Sequence, residues 1–237
     1  MHIQRSKASK NYTPLMIQEN SKDNILVIGD LHLPFTHKDY LKFCQEQQEK
    51  FRCGTVIFIG DIADFHYSSF HPVEPSAMGC TTEYEKMLHE LKDWQEAFPK
   101  ALVTFGNHDL IPFRKGFAGG LSASMMKSWN QLFNAPRGWK FGEKFIIDRV
   151  MYTHGTNAAI ARMNASRISV VQGHCHSLQY VHWSQSEIDR IFAMQVGCGI
   201  DNDSYAFTYG RSFPKKPVLG CGVVLNRGKF PIAIPMN

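Results

Sequence analysis

At 237 residues with 43% hydrophobic side chains, the chain has apolar material for one sizeable core. The net charge is +5, from 26 Lys plus Arg against 21 Asp plus Glu, which suits a phosphate-bearing partner. The dense basic stripe of a dedicated nucleic-acid binder is missing, and no apolar run approaches the roughly 20 residues of a membrane span, so no membrane partner is expected.

Residues 1–23 form a polar extension with Arg5, Lys7, Lys10 and Lys22, without the apolar stretch of a signal peptide. No Pro/Gly/Ser-rich linker, repeat or low-complexity tract interrupts the rest of the chain, which predicts a single domain over 24–237. The six cysteines, at 44, 53, 80, 175, 198 and 221, include no CxxC pair. Without a secretory signal they read as reduced thiols of a cytoplasmic protein.

One event then recurs along the chain: a short β-branched run stops at a small residue and passes at once into polar side chains. Ile25-Leu26-Val27-Ile28 leads to Gly29-Asp30-Leu31-His32, and Val56-Ile57-Phe58-Ile59 to Gly60-Asp61-Ile62-Ala63-Asp64. Ala101 to Phe105 leads to Gly106-Asn107-His108-Asp109, Val150 to Thr153 to His154-Gly155, and Ile168 to Gln172 to Gly173-His174-Cys175-His176. Such runs are buried-strand signals. Helices are predicted between the first strands, over 37–51 and over 82–98, the second with Tyr84, Met87, Leu88, Leu91, Trp94 and Phe98 at amphipathic spacing before Pro99. Strand–helix–strand order implies parallel pairing by right-handed crossovers, and in such sheets ligands bind at the carboxyl ends of the strands. All five polar clusters sit at that end. Beyond His176, segments 179–183, 190–196, 218–225 and 229–234 read as strands of a mostly antiparallel second sheet. Two sheets face to face with helices outside give an α/β (α+β) four-layer sandwich.

The clustered side chains are those that hold two hard divalent cations. Such a pair needs a shared carboxylate to offset its repulsion, and Asp61 suits that place. Asp30 and His32 alternate along an extended segment, so a turn can aim both at one ion. Asn107 offers a neutral oxygen where an anionic substrate approaches, and His154, His174 and His176 supply nitrogens. Asp, Asn and His without thiolate suit Mn, Fe or Zn. His108, at the edge of the cluster, is placed to protonate a leaving oxygen, with Asp64 to orient its ring.

Other features read blandly. His66 and His71 are expected in a loop or at the surface, and Cys175 pointing away from the metals into packing. Asp201-Asn202-Asp203 is an acidic turn without the Gly and distal Glu of a calcium loop, and Gly197-Cys198-Gly199 is too short for a dinucleotide fingerprint. Residues 111–141 carry Arg114, Lys115, Lys127, Trp129, Arg137, Trp139 and Lys140. A solvated helix and loop is expected there, although bases or backbone phosphates can use such side chains.

The series GDLH, GDIAD, GNHD, HG and GHCH resembles the calcineurin-like metallophosphoesterase superfamily, from about Asn24 to Gly199. The resemblance implies a sandwich of two mixed β-sheets flanked by helices. It implies two divalent metal ions, Mn first, then Fe or Zn. One is held by Asp30, His32, Asp61 and His176, the other by Asp61, Asn107, His154 and His174. A metal-bridging hydroxide attacks phosphorus in line, with His108 as proton donor paired with Asp64. The family's protein phosphatases carry Arg-Gly where Phe65 follows GDIAD, and the GNHD cluster lacks their following Glu. These departures argue against a phosphoprotein phosphatase. With a chain too short for a large capping domain and the basic 111–141 segment, the expectation is a phosphodiesterase acting on a nucleotide or nucleic acid. The alternative is a phosphomonoesterase on a small metabolite or phosphoprotein.

Overall fold

The apolar runs form the centres of two six-stranded sheets. A computed structural model describes residues 18–19, 23–70, 77–204 and 214–237, so His71 and most of the polar extension lie outside the described residues. In the first sheet β2 (Asn24–Ile28), β3 (Cys53–Phe58), β4 (Ala101–Thr104) and β5 (Trp139–Gly142) lie side by side in parallel. Two antiparallel strands, β11 (Gly220–Leu225) and β12 (Phe230–Pro235), extend it beyond β2. The second sheet runs in the order β1 (Gln18–Glu19), β6 (Lys144–Ile147), β7 (Val150–Thr153), β8 (Ser169–Gln172), β10 (Arg190–Val196) and β9 (Gln179–Gln185). Here β7, β8 and β10 are parallel, β6 runs against β7 and β9 against β10, and β1 lies parallel to β6.

The two sheets are mixed, as expected, but the four late strands do not make a sheet of their own. β9 and β10 join β8, and β11 and β12 join β2. Pairing with β8 is parallel, so β10 places its own carboxyl end, Gly197 to Gly199, beside the other strand ends. Hydrophobicity marks strands but says little about which sheet they enter.

Strands buried on both faces explain the unbroken apolar runs. Ile25, Val27, Ile57 and Ile59 face the second sheet and pack with Tyr152, Val171, Phe192 and Met194. The alternate residues Leu26, Ile28, Val56 and Phe58 face outward under α1 (Tyr40–Lys50) and α2 (Cys80–Ala97), where Tyr40, Leu91, Trp94 and Phe98 cover them. On the opposite side Met151, Val170 and Ala193 pack under α5 (Ala159–Ser166). The order helix, sheet, sheet, helix is the predicted four-layer sandwich. Among the described residues no helix is long and apolar enough to cross a membrane.

The 111–141 segment is more ordered than a solvated helix and loop. It comprises α3 (Ile111–Ala118), a capped single turn α4 (Trp129–Leu132) and then the edge strand β5. Its two tryptophans are buried. Trp129 stacks on Phe105 with ring centroids 4.2 Å apart, and Trp139 Nε1 donates to the Phe98 carbonyl at 2.8 Å. Neither is available to a base.

Candidate metal centre

The carboxyl ends of β2, β3, β4, β7 and β8 meet at one end of the sandwich, and every predicted ligand arrives there. The loops after β2 and β3 are zipped together: Leu31 and His32 N–H donate to the Asp61 carbonyl at 3.0 and 2.9 Å, and Asp64 N–H to the Leu33 carbonyl at 3.0 Å. The backbone is not extended where the ligands turn inward. His32, Asp61 and His174 have φ of 51°, 49° and 71°, a left-handed conformation uncommon outside glycine that concentrates at functional sites. The glycine ahead of two clusters is explained by close approach. A Cβ on Gly106 would collide with the Asp61 carboxylate, and one on Gly173 with Asp30 Oδ1.

Asp30, His32, Asp61 and His176 bring one donor atom each into a group spanning no more than 4.8 Å. His176 Nε2 lies 2.9 Å from Asp30 Oδ2 and 3.2 Å from His32 Nε2. On the other side, Asn107 Oδ1 lies 3.0 Å from His154 Nε2 and 2.9 Å from His174 Nδ1. Asp61 Oδ2 stands between the two groups, 3.5 Å from His32 Nε2 and 3.3 Å from His154 Nε2.

The residues fit a pair of cations on three grounds. First, His154 Nδ1 meets the Ile59 carbonyl at 3.0 Å, which can only accept, so that nitrogen carries the proton and leaves Nε2 for the centre. His32 Nδ1 is likewise held by Asp64 Oδ1 at 2.6 Å, freeing its Nε2. Outer oxygens that fix the tautomer of an imidazole are the usual support of a metal ligand. Second, Asp30 Oδ1 is buried with no hydrogen-bond partner among the described residues, a costly condition that a cation would relieve. Third, the buried carboxylates draw positive charge. Burial favours a neutral His154, but Asp61 and Asp30 outweigh it and push its pKa up to about 10. His174, 3.2 Å away, is pushed down by burial and by the charge on His154. Burial and the neighbouring His108 charge lower His32 as well. Asp61 is held well below the carboxylate range because His154 and His108 outweigh its burial.

His108 stands at the open edge, its side chain 22% exposed. Its backbone N–H donates to Asp61 Oδ1 at 2.8 Å. The ring Nδ1 lies 2.7 Å from the Asp64 carbonyl oxygen and 3.3 Å from the Asp64 carboxylate. The shorter contact of that carboxylate is with His32, so one aspartate braces both imidazoles. Burial lowers the His108 pKa, and Asp61 and Asp64 more than reverse it, so the net shift is upward.

The structure adds residues given no role from sequence. Asp109 is buried and ties two ligand loops together, its Oδ1 accepting from Ala63 N–H at 3.1 Å and its Oδ2 from Gly106 N–H at 3.0 Å. Burial and the Asp61 charge push its pKa up to about 7. Gly199 N–H donates to the Asp30 carbonyl at 2.8 Å, and Cys198 bridges to Asp30, so Gly197–Gly199 braces the first ligand. The Tyr40 hydroxyl accepts from Gly29 N–H at 3.1 Å and donates to the Gly220 carbonyl at 2.7 Å. Adjacency to the GNH cluster was the one signal for Asp109; the others are long-range contacts with none. His66 lies in the loop between β3 and α2, as one of the two expectations had it, but is buried rather than at the surface. Phe65 turns the chain at φ 52°, Glu83 Oε1 takes the His66 N–H at 2.6 Å, and the ring is buried with Nδ1 3.9 Å from Asp64 Oδ2. Cys175 is half-buried, and burial pushes its thiol up.

A two-sheet sandwich with Asp, Asn and His converging on the strand ends defines the class of hard-metal phosphoesterase sites. The chain belongs to the calcineurin-like phosphoesterase family, whose sequence model matches residues 24–208. No curated protein matches it. Among solved structures it is similar to a single mutant of Vps29 from Entamoeba histolytica, at 11% identity and TM-score 0.41 over 90% of this chain and 99% of that one. Vacuolar protein sorting 29 of Cryptosporidium parvum is similar at 13% identity and TM-score 0.42, over 91% and 98%. Vps29 of Chaetomium thermophilum is similar at 12% and 0.42, over 87% and 86%.

Proposed function

We propose that the chain is a metal-dependent phosphoric ester hydrolase with two divalent cations, and that its substrate is a phosphodiester in a nucleotide or nucleic acid. The observation that carries this reading is the position of Asp61 Oδ2, 3.5 Å from an imidazole of one group and 3.3 Å from an imidazole of the other. Asp30, His32, Asp61 and His176 would hold one cation, and Asp61, Asn107, His154 and His174 the second. Mn suits this set of oxygens and imidazoles, ahead of Fe or Zn. When bound, such a pair polarises phosphoryl oxygens and lowers the pKa of water.

The chain's own residues supply the remaining chemistry. The Asp64 carbonyl fixes the proton on His108 Nδ1, which leaves Nε2 as the nitrogen that hands a proton to the leaving oxygen. A diester leaves as an alkoxide and needs that proton. Phe65 after GDIAD, and the absence after GNHD of the Glu that the family's protein phosphatases carry, support a substrate other than a phosphoprotein. A cytoplasmic location is supported by six cysteines that are all free thiols.

The purified protein, loaded with Mn, should hydrolyse bis-p-nitrophenyl phosphate faster than p-nitrophenyl phosphate. Much faster monoester cleavage would replace this reading with a phosphatase. Inertness on both with two metals bound would remove the hydrolase altogether.

A further inference from the structure

Two segments leave the centre together from the contact between His108 and Asp64. Six positions beyond each, at Arg114 and Phe70, they meet again. Lys115 Nζ donates to the Ser69 carbonyl at 3.2 Å. The Arg114 guanidinium stands 4.6 Å from the centroid of the Phe70 ring, and Lys115 Nζ 5.3 Å from the same centroid. Phe70 is 57% exposed, and Tyr67, three positions earlier, 51%. Among the described residues neither Arg114 nor Lys115 has a carboxylate partner. A turn over 108–110 and then the first turn of α3 (Ile111–Ala118) carry the chain from His108 to Arg114, so the patch follows the proton donor within six residues along each segment.

We infer that Tyr67, Phe70, Arg114 and Lys115 form a binding platform for the leaving-group side of a single-stranded nucleic acid; this rests on the phosphodiester reading above. Each part matches that ligand. Two cations a residue apart, without a carboxylate partner among the described residues, suit successive backbone phosphates. Exposed aromatic and guanidinium planes stack on bases that are not already stacked on one another, which a single strand offers and a duplex does not. The Arg114 guanidinium lies over the Phe70 ring, so the two groups hold each other before the ligand arrives, and little ordering is needed on binding. A strand whose scissile phosphate lies at the Asp61 group, with its leaving oxygen at His108, runs out over this patch.

The test is fluorescence anisotropy with a labelled, phosphorothioate single-stranded oligonucleotide of about twelve nucleotides, titrated at several salt concentrations, on the whole protein. Arg114→Ala with Lys115→Ala should lose about tenfold or more in affinity at low salt and reduce the log–log salt slope by about 1.4, from about 0.7 per phosphate contact. Phe70→Ala should lose about 5- to 150-fold, the range for one stacked base. Lys42→Ala, on an exposed face of α1, should bind as the unaltered protein does. Melting temperatures will confirm that these surface variants are folded. Affinities within twofold of the unaltered protein would overturn the platform. A duplex or polyglutamate bound as tightly as the single strand would overturn the assignment of its ligand. Chromogenic diester turnover by the unaltered protein reads the hydrolase separately. Turnover without oligonucleotide binding overturns the platform alone. Binding that depends on these side chains without turnover upholds the platform and removes the hydrolase.

Discussion

Asp109→Asn isolates the brace between two ligand loops from the ligands themselves. The carboxylate uses both oxygens on backbone donors, Ala63 N–H at 3.1 Å and Gly106 N–H at 3.0 Å, in a fully enclosed position. An amide of the same shape keeps one acceptor and turns its NH2 towards the other N–H. One buried donor is then left unmade, which costs about 1–3 kcal/mol. For a chain of this size each kcal/mol moves Tm by about 2–4 °C, so calorimetry should record a fall of about 2–12 °C. Ala63 lies two positions after Asp61, and Gly106 immediately precedes Asn107. Loosening both therefore lets a ligand from each group drift, and a misplacement of about 1 Å can cost about 100-fold in rate. Turnover of bis-p-nitrophenyl phosphate should fall by about 10- to 100-fold while elemental analysis still finds metal. A variant that melts within 1 °C of the unaltered protein and turns over within twofold of it would refute the brace.

The same geometry sets three further outcomes. Asp61→Asn removes the charge that both groups share, so elemental analysis should find metal falling from about two ions per chain towards one or none; full occupancy would take Asp61 out of the bridging position. His108→Ala should keep the metals and lose about 10²–10⁴-fold in rate, with a smaller loss on nitrophenyl leaving groups that need no proton; equal losses on good and poor leaving groups would remove the proton-donor role. Gly173→Ala drives a methyl group into Asp30 Oδ1 and should weaken Mn binding in a competition titration, with unchanged affinity counting against that close approach.

The strand ends were legible because each ligand cluster follows its strand without a gap, so the chain itself says where Asp30, Asp61, Asn107, His154 and His174 must lie. The α2 helix was legible for a similar reason, its apolar face being written at helical spacing over 82–98. What the sequence could not carry is pairing across long intervals. The same apolar signal marks β9 and β11, yet one joins β10 and the other β2. Trp129 and Trp139 looked available because an aromatic amid Lys and Arg reads as surface, whereas Phe105 and Phe98, distant in sequence, draw them inward. His66 went the same way, since Glu83 on α2 captures its backbone across 17 positions.

The two groups of proposed ligands are divided between the sheets. Asp30, Asp61 and Asn107 follow strands of one sheet, while His154, His174 and His176 follow strands of the other. Metal affinity therefore acts as a gauge of how the two layers are aligned. A cation that gathers ligands from both is a clasp on the sandwich, and by mass action it should stiffen the interface between them. The dependence also runs the other way. Repacking Val27, Tyr152 or Met194, deep between the sheets and not among the proposed ligands, shifts one half of the clasp against the other. Such changes would tune which ion the protein prefers, leaving all seven ligand side chains as they are.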